Sequence, residues 1–271
     1  MSNSRYRAVK AYRNEKFVGS SDGRPLRILA EYLEPESRFE ELNVEDTIVV
    51  FGSARIPSRE EAQARVKAAE EGDGDLKLAQ RDLEMSRFYE AARELSARLT
   101  TWSKSLEGSR RRFVICSGGG PGIMEAANRG ASEAKGENIG LNISLPFEQS
   151  DNPYITHRLS FEFHYFFMRK FWFSYLAKAM IVFPGGFGTL DEFMEVLTLI
   201  QTLKIKKKLP IVLFGTSFWD EVLHFEPMAR YGTISPEDTD LFFSTDSVDD
   251  AYEHLVKELT EHALGNPGGG M

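Results

Sequence analysis

The sequence predicts an α/β protein of three layers: a doubly wound, mainly parallel sheet of Rossmann-like architecture with helices on both faces. Three observations predict it. Short β-branched or aromatic runs alternate with amphipathic segments; the runs are continuously apolar, as strands buried on both faces must be; and each ends in glycine or proline. The strand runs are DTIVVFGSA (46–54), RFVICSGGG (112–120), NIGLNISLP (138–146), KAMIVFPGG (178–186) and LPIVLFG (209–215). Between them, apolar residues recur at three- and four-residue spacing over 83–99, 122–134, 166–179 and 190–203, which predicts helices. A further helix is expected over 24–42, packed outside the sheet or against a partner subunit. The charged segment 57–82 reads as a solvated helix and loop that lengthen the first crossover. Three units result: an N-terminal extension (1–44), the Rossmann-like domain (45–263) and a flexible tail, 264–271, with the composition GNPGGGM at its end.

With 271 residues, 42% of them hydrophobic and 27% charged, the chain is expected to build one principal domain. Its net charge of -8 supplies no basic field for duplex nucleic acid, which is excluded as a partner. The single cysteine, Cys116, can form neither an internal disulfide nor a multi-cysteine zinc site, and the opening MSNSRYRAVK is polar. The most apolar stretch, FFMRKFWFSYLAKAMIVF, is interrupted by Arg169, Lys170 and Lys178, so no membrane span is expected. A cytoplasmic protein follows as the default. Five histidines include no H-E-x-x-H pair, and no metal site is expected.

Ligands of doubly wound folds lie beyond the carboxyl ends of the strands. Those ends carry Gly52, the run 118–122 and the run 185–188. In CSGGGPGIMEAAN, glycines at 118, 119, 120 and 122 lead from a strand into a helix whose first turn holds Met124 and Glu125. Bare backbone N–H groups at a helix start form an anion nest, so a phosphate is the expected guest. Ile123 stands where a dinucleotide fingerprint needs glycine, and no Gly-Lys-Ser/Thr follows either loop, which disfavours nicotinamide cofactors and nucleoside triphosphate hydrolysis. The second loop, PGGFGTLDE, opens a helix from about Thr189, which caps it or donates to a phosphate. The two nests are read as lying at neighbouring strand ends. Asp191 serves the helix dipole; Glu192, about a turn in, faces the ligand, and Glu195 lies on the same face to support it. Arg169 and Lys170 put two cations in an apolar helix. Lys170 can snorkel to solvent, whereas Arg169 suits a phosphate or carboxylate.

The residues Pro184-Gly185-Gly186-Phe187-Gly188-Thr189-Leu190-Asp191-Glu192, preceded one strand earlier by Arg169-Lys170, resemble the paired P-G-G-x-G-T-x-x-E and Arg-Lys motifs of the LOG family, once labelled "possible lysine decarboxylase". The Gly52-Ser53 turn is similar too, as is the loop from Gly118 to Met124, although its last glycine falls one place early. The resemblance spans roughly 45 to 260. It implies hydrolysis of the N-glycosidic bond of a nucleoside 5'-monophosphate, AMP or a related purine nucleotide, to free base and ribose 5-phosphate. It also implies Arg169 and Glu192 as the catalytic pair, and a homodimer or larger homo-oligomer. The phosphate- and substrate-binding candidates are Gly52, Ser53, Gly118, Gly119, Gly120, Gly122, Met124, Glu125, Lys170, Gly185, Gly186, Gly188 and Thr189. Glu192 would stabilise positive charge on the ribose and deprotonate water, while Arg169 would orient the phosphate or the carboxylate, or help the base leave. No cofactor is expected: pyridoxal chemistry needs a Schiff-base lysine that neither loop supplies. The rival is a non-catalytic nucleotide- or cofactor-binding carrier of the same fold. Phe187, Met124 and the aromatics over 161–173 are candidate walls for the base.

Overall fold

A computed structural model of the chain describes residues 8–145 and 152–270. Its seven strands form a single sheet in which every pair is parallel: β1 (Thr47–Phe51), β2 (Val114–Ser117), β3 (Asn138–Ile143), β4 (Ser160–Phe163), β5 (Ala177–Val182), β6 (Ile211–Phe214) and β7 (Phe243–Thr245), in the order β4-β3-β2-β1-β5-β6-β7. Five are the apolar runs seen in the sequence; Pro146, read as the end of the third, lies outside the described residues. The two unforeseen strands, β4 and β7, form the edges. Both are short, and β4 alternates buried with more exposed positions, which hid it inside an aromatic stretch.

The helices in chain order are α1 (Glu15–Val18), α2 (Arg24–Glu41), α3 (Arg59–Glu70), α4 (Leu76–Ser105), α5 (Ile123–Glu133), α6 (Phe166–Leu176), α7 (Phe187–Gln201), α8 (Thr216–Val222), α9 (Phe225–Arg230) and α10 (Val248–His262). Segment 57–82 holds α3 and the start of α4. Ser58 and Glu61 close a reciprocal capping box on the first, and Asp75 caps the second. Helix α6 stops at Leu176, short of the expected 179, because β5 begins at the next residue. Periodicity cannot separate a buried helix from a buried strand that follows without a turn.

Alternate strand positions feed two apolar layers. Ile48, Val50, Ile115, Ile181 and Val212 pack against Phe88, Leu95 and Leu99 of α4, Ile123 and Ala127 of α5 and Leu255 of α10. On the other face Val49, Cys116, Leu141, Met180 and Leu213 meet Trp172 and Phe173 of α6, Phe193 of α7 and Phe39 of α2. Helix α2 is tied to this second layer by polar bonds as well. The Glu31 carboxylate accepts from the backbone N–H groups of His164 and Tyr165, at the positively polarised start of α6. Trp172 Nε1 donates to the Glu31 carbonyl at 3.0 Å, and Arg38 Nη1 donates to the carbonyls of Arg158 and Ser160 beside β4.

At the amino ends of the strands Asp46, with no exposed surface, accepts from Arg112 Nε at 2.8 Å and from the Phe113 N–H at 2.7 Å. Phe113 is held at φ 53, a left-handed conformation that a buried aromatic residue adopts only under constraint. Burial pushes the Asp46 pKa up, opposed by the bonds from Phe113 and Arg112. The segment read as a flexible tail continues from here: Arg112 donates to the carbonyls of Ala263 and Leu264, Lys178 Nζ to that of Asn266, and the Gly270 N–H donates to the Tyr175 carbonyl. Replacing Asp46 by Ala would strand the Arg112 charge and release Phe113. The expected cost is about 3 kcal/mol, measured as a lower urea midpoint at unchanged m-value; a midpoint equal to wild type would show that Asp46 holds neither group.

Candidate functional site

From β1 the chain steps outward through β2 and β3 to β4, then returns to lay β5 on the other side of β1 and continues to β6 and β7. The crossovers beside β1 and β5 therefore leave in opposite directions, and a crevice opens at their carboxyl ends. The backbone of Ser53 joins the walls of that crevice. Its N–H donates to the Pro184 carbonyl at 3.0 Å, and its carbonyl accepts from Ile123 N–H at 3.1 Å, linking the β1 turn, the β5 turn and the start of α5. The resulting cleft, about 770 Å³, is lined by Gly52, Ser53, Arg55, Gly118, Met124, Arg169 and the stretch 185–192, together with apolar side chains. The two glycine loops are not at neighbouring strand ends as expected: β1 lies between β2 and β5. Another cavity, about 520 Å³, sits at the amino ends of the strands. Three of its cations are committed to structure, Arg110 to Glu45, Arg112 to Asp46, and Lys104 to the carbonyls of Ala134 and Lys135.

Helix α7 begins at Phe187, two residues before the expected start, with Gly186 as its N-cap and no side chain capping it. Thr189 is thus the third helical residue. Its side chain lies against Gly185, where a Cβ would stand 2.2 Å from Thr189 Oγ1. At Gly186 and Gly188 nothing lies within 4 Å of where a Cβ would be, and Phe187 is 93% exposed. No side chain caps the first-turn N–H groups, and none crowds Gly186 or Gly188, an arrangement of helix start and dipole that suits an anion.

The loop before α5 uses its glycines differently. Gly119 and Gly122 have φ 73 and 69, and a Cβ on them would come within 2.1 Å of Asn142 Oδ1 and 2.4 Å of the Ser53 carbonyl oxygen. Gly52 is bare because the Ile123 side chain packs on it. Of this loop, Gly118 and Met124 reach the cleft; Gly119, Gly120 and Gly122 are buried behind it, and Glu125 accepts from Tyr89 Oη at 2.6 Å. A polar network that the sequence reading missed fixes the turn: the Gly119 N–H donates to Ser117 Oγ, which donates to Asn128 Oδ1, while Asn128 Nδ2 donates to Asn138 Oδ1 and the Ile139 carbonyl. Its only signal is two asparagines and a serine within apolar runs.

Arg169 and Glu192 line the cleft together. Arg169 Nε donates to the Leu141 carbonyl at 2.7 Å and Nη2 to that of Gly118 at 3.3 Å. Burial lowers its pKa, and the charge of Glu192 opposes the shift. Glu192 is 7% exposed; burial pushes its carboxyl up to about 7, against the pull of Arg169 and Lys170. Lys170 points to the outer side of α7, where its Nζ lies 2.8 Å from both Asp191 and Glu195. Burial acts to lower the Lys170 pKa, but the bonds to these two carboxylates raise it. Glu195 therefore holds Lys170 and makes no hydrogen bond to Glu192 among the described residues. Phe166, one of the aromatics over 161–173 expected as walls, lines the cleft, and among the lining residues that the sequence did not single out are Arg55, Ile143, Leu145 and Val222. Arg55 was visible only as part of FGSAR, and the apolar three look like ordinary core residues.

The Glu192 environment makes a stability prediction. Its folded pKa of about 7 lies above the ordinary 4.5, so between those values the folded protein holds a proton that the unfolded chain has released. Stability from this group is complete below the lower value and is lost as the pH rises through the higher one. Glu192→Gln is expected to raise the melting temperature at pH 8, with the gain shrinking towards pH 5; a gain of equal size at both would show that the carboxylate is not destabilised by burial.

The chain is similar to several known proteins. A family model described as "possible lysine decarboxylase" matches residues 124–255. A cytokinin riboside 5'-monophosphate phosphoribohydrolase of Arabidopsis thaliana is 28% identical over 158 residues, 57% of this chain and 70% of that protein. Another from Oryza sativa subsp. japonica is 28% identical over 155 residues, 56% of this chain and 62% of that protein. Among solved structures, the X-ray structure of the structural-genomics target TM1055 is 18% identical with a TM-score of 0.47, covering 78% of this chain and 99% of its own. The Moco carrier protein of Chlamydomonas reinhardtii is 18% identical with a TM-score of 0.43, covering 80% of this chain and 99% of its own. In sequence the chain is thus similar to the family of that model, over just under half of its length, and to these plant phosphoribohydrolases.

Proposed function

We propose that the cleft hydrolyses the N-glycosidic bond of a nucleoside 5'-monophosphate, AMP or a related purine nucleotide, releasing the free base and ribose 5-phosphate. One observation carries the reading: a buried carboxyl with a pKa near 7, Glu192, in the same cleft as the uncapped, unobstructed start of α7. The phosphate would sit on the N–H groups of that helix start, beside Ser53 and Gly118, fixing the ribose within reach of Glu192. Holding reactants in place lowers the barrier by itself. Glu192 takes a proton from water as the oxygen bonds to C1' of the ribose. The C1'–N bond breaks with its electron pair passing to the base, which gains a proton, so that one water is consumed overall. As that bond breaks, positive charge grows on the ribose, and a carboxylate in a desolvated wall is well suited to stabilise it. Arg169, anchored to two carbonyls, holds the Gly118 turn and sustains the ionised form of Glu192.

The similar plant proteins are named as phosphoribohydrolases of a cytokinin riboside 5'-monophosphate, which favours this reaction class. The reading needs no cofactor. A homodimer or larger assembly accompanies it, because Phe166, Phe167 and Phe187 are each more than half exposed beside the cleft. The carrier reading predicts nucleotide binding without chemistry, and the same experiment separates the two.

Purified protein incubated with AMP and other nucleoside monophosphates is expected to release base, followed by chromatography, with kcat rising through about pH 7 as Glu192 ionises. Glu192→Gln is expected to lower kcat by about 100-fold or more with little change in KM. Base release unaffected by that substitution would remove Glu192 from the reaction. A nucleotide that raises the melting temperature without releasing base would establish the carrier instead.

A further inference from the structure

We propose that Arg55 is the side chain that recognises the 5'-phosphate and selects a nucleotide over the unphosphorylated nucleoside. The inference rests on the cleft being a nucleotide site, as read above, and follows from asking which cation there is free. Arg169 directs Nε and Nη2 to the carbonyls of Leu141 and Gly118, and its charge faces Glu192. Lys170 is held by Asp191 and Glu195. The Arg55 guanidinium lines the cleft, is exposed, and has no hydrogen bond or ion pair among the described residues.

Charge makes the need for it plain. Asp191 and Glu192 line the same cleft, and the Arg169 charge faces Glu192. A helix start contributes the equivalent of about half a positive charge, which does not match a phosphate dianion, and Arg169 and Lys170 already face the carboxylates Glu192 and Asp191. Arg55 is the cation placed to supply the rest, and its planar fork matches two phosphate oxygens. Its root is fixed while its tip is not: the Arg55 N–H donates to Ser53 Oγ at 3.1 Å, and the next residue, Ile56, is buried. The residue thus stands on the Ser53 turn that joins the cleft walls, with its charged end available.

The test is isothermal titration of wild type, Arg55→Ala and Arg55→Lys with ribose 5-phosphate, AMP and adenosine, alongside steady-state kinetics on AMP. Ribose 5-phosphate is a probe that works whether or not the protein cleaves anything. Arg55→Ala is expected to weaken both phosphorylated probes by about 10- to 100-fold, to leave adenosine unchanged, and to raise KM for AMP without lowering kcat. Arg55→Lys should recover part of the loss, because the charge returns without the fork. Wild-type affinity for ribose 5-phosphate in Arg55→Ala would overturn the proposal, as would equal weakening of adenosine, which would mark a change of cleft shape. If wild type releases no base yet its ribose 5-phosphate binding depends on Arg55, the hydrolase reading fails and this one stands. If base release proceeds with the same KM in Arg55→Ala, the reverse holds.

Discussion

The backbone of one residue, Ser53, ties together what the site needs. Through its N–H to Pro184 and its carbonyl to Ile123 it binds the β1 turn to the β5 turn and to the head of α5. These three segments come from distant parts of the chain and meet because β1 and β5 lie side by side at the reversal of strand order. Glycine at 52 and 122 follows from this junction. The Ile123 side chain occupies the space over one, and the Ser53 carbonyl the space over the other. A side chain at either position would separate the elements that the Ser53 bonds join.

The charges of the site are arranged by desolvation more than by pairing. A direct ion pair between Arg169 and Glu192 would have held the carboxyl ionised well below neutral pH. Instead the guanidinium is bonded to two carbonyls, and burial dominates at Glu192, leaving its proton exchangeable near pH 7. Such a carboxyl costs stability at neutral pH and gains the ability to accept and return a proton under working conditions. Lys170, the neighbour of Arg169 in sequence, falls on a different side of α6 and is neutralised by α7 carboxylates. Adjacent residues on a helix point about 100° apart, so two cations in one dipeptide serve two surfaces.

Helix α2 shows how the extension bears on the site without touching it. Glu31 sits at the amino end of α6, the helix that carries Arg169, and Phe39 and Trp172 pack edge to face beneath it. Of the elements on that face of the sheet, α6 is therefore bonded at its start by α2 and, at its last carbonyls, by Lys207 Nζ on Ser174 and Tyr175. Arg169 is presented from a helix fixed at both ends.

The sequence by itself determined the fold class, five of the seven strands, the principal helices, and most of the residues that line the cleft. Each of these rests on local physics: continuous apolar runs, three- and four-residue periodicity, and glycines where strands end. The tertiary structure alone decided which strand ends adjoin, and so moved the two glycine loops from neighbours to opposite flanks of β1. It also separated glycines that are bare because another part of the protein presses on them, at 52, 119, 122 and 185, from those bare towards open space, at 186 and 188. No pattern along the chain distinguishes those two uses. It showed Arg55 without a side-chain partner among the described residues and Lys170 committed, because the partners that neutralise a charge come from other helices. Edge strands β4 and β7 were invisible for a related reason: an edge strand is short and half-buried, and what makes it a strand is the neighbour it pairs with.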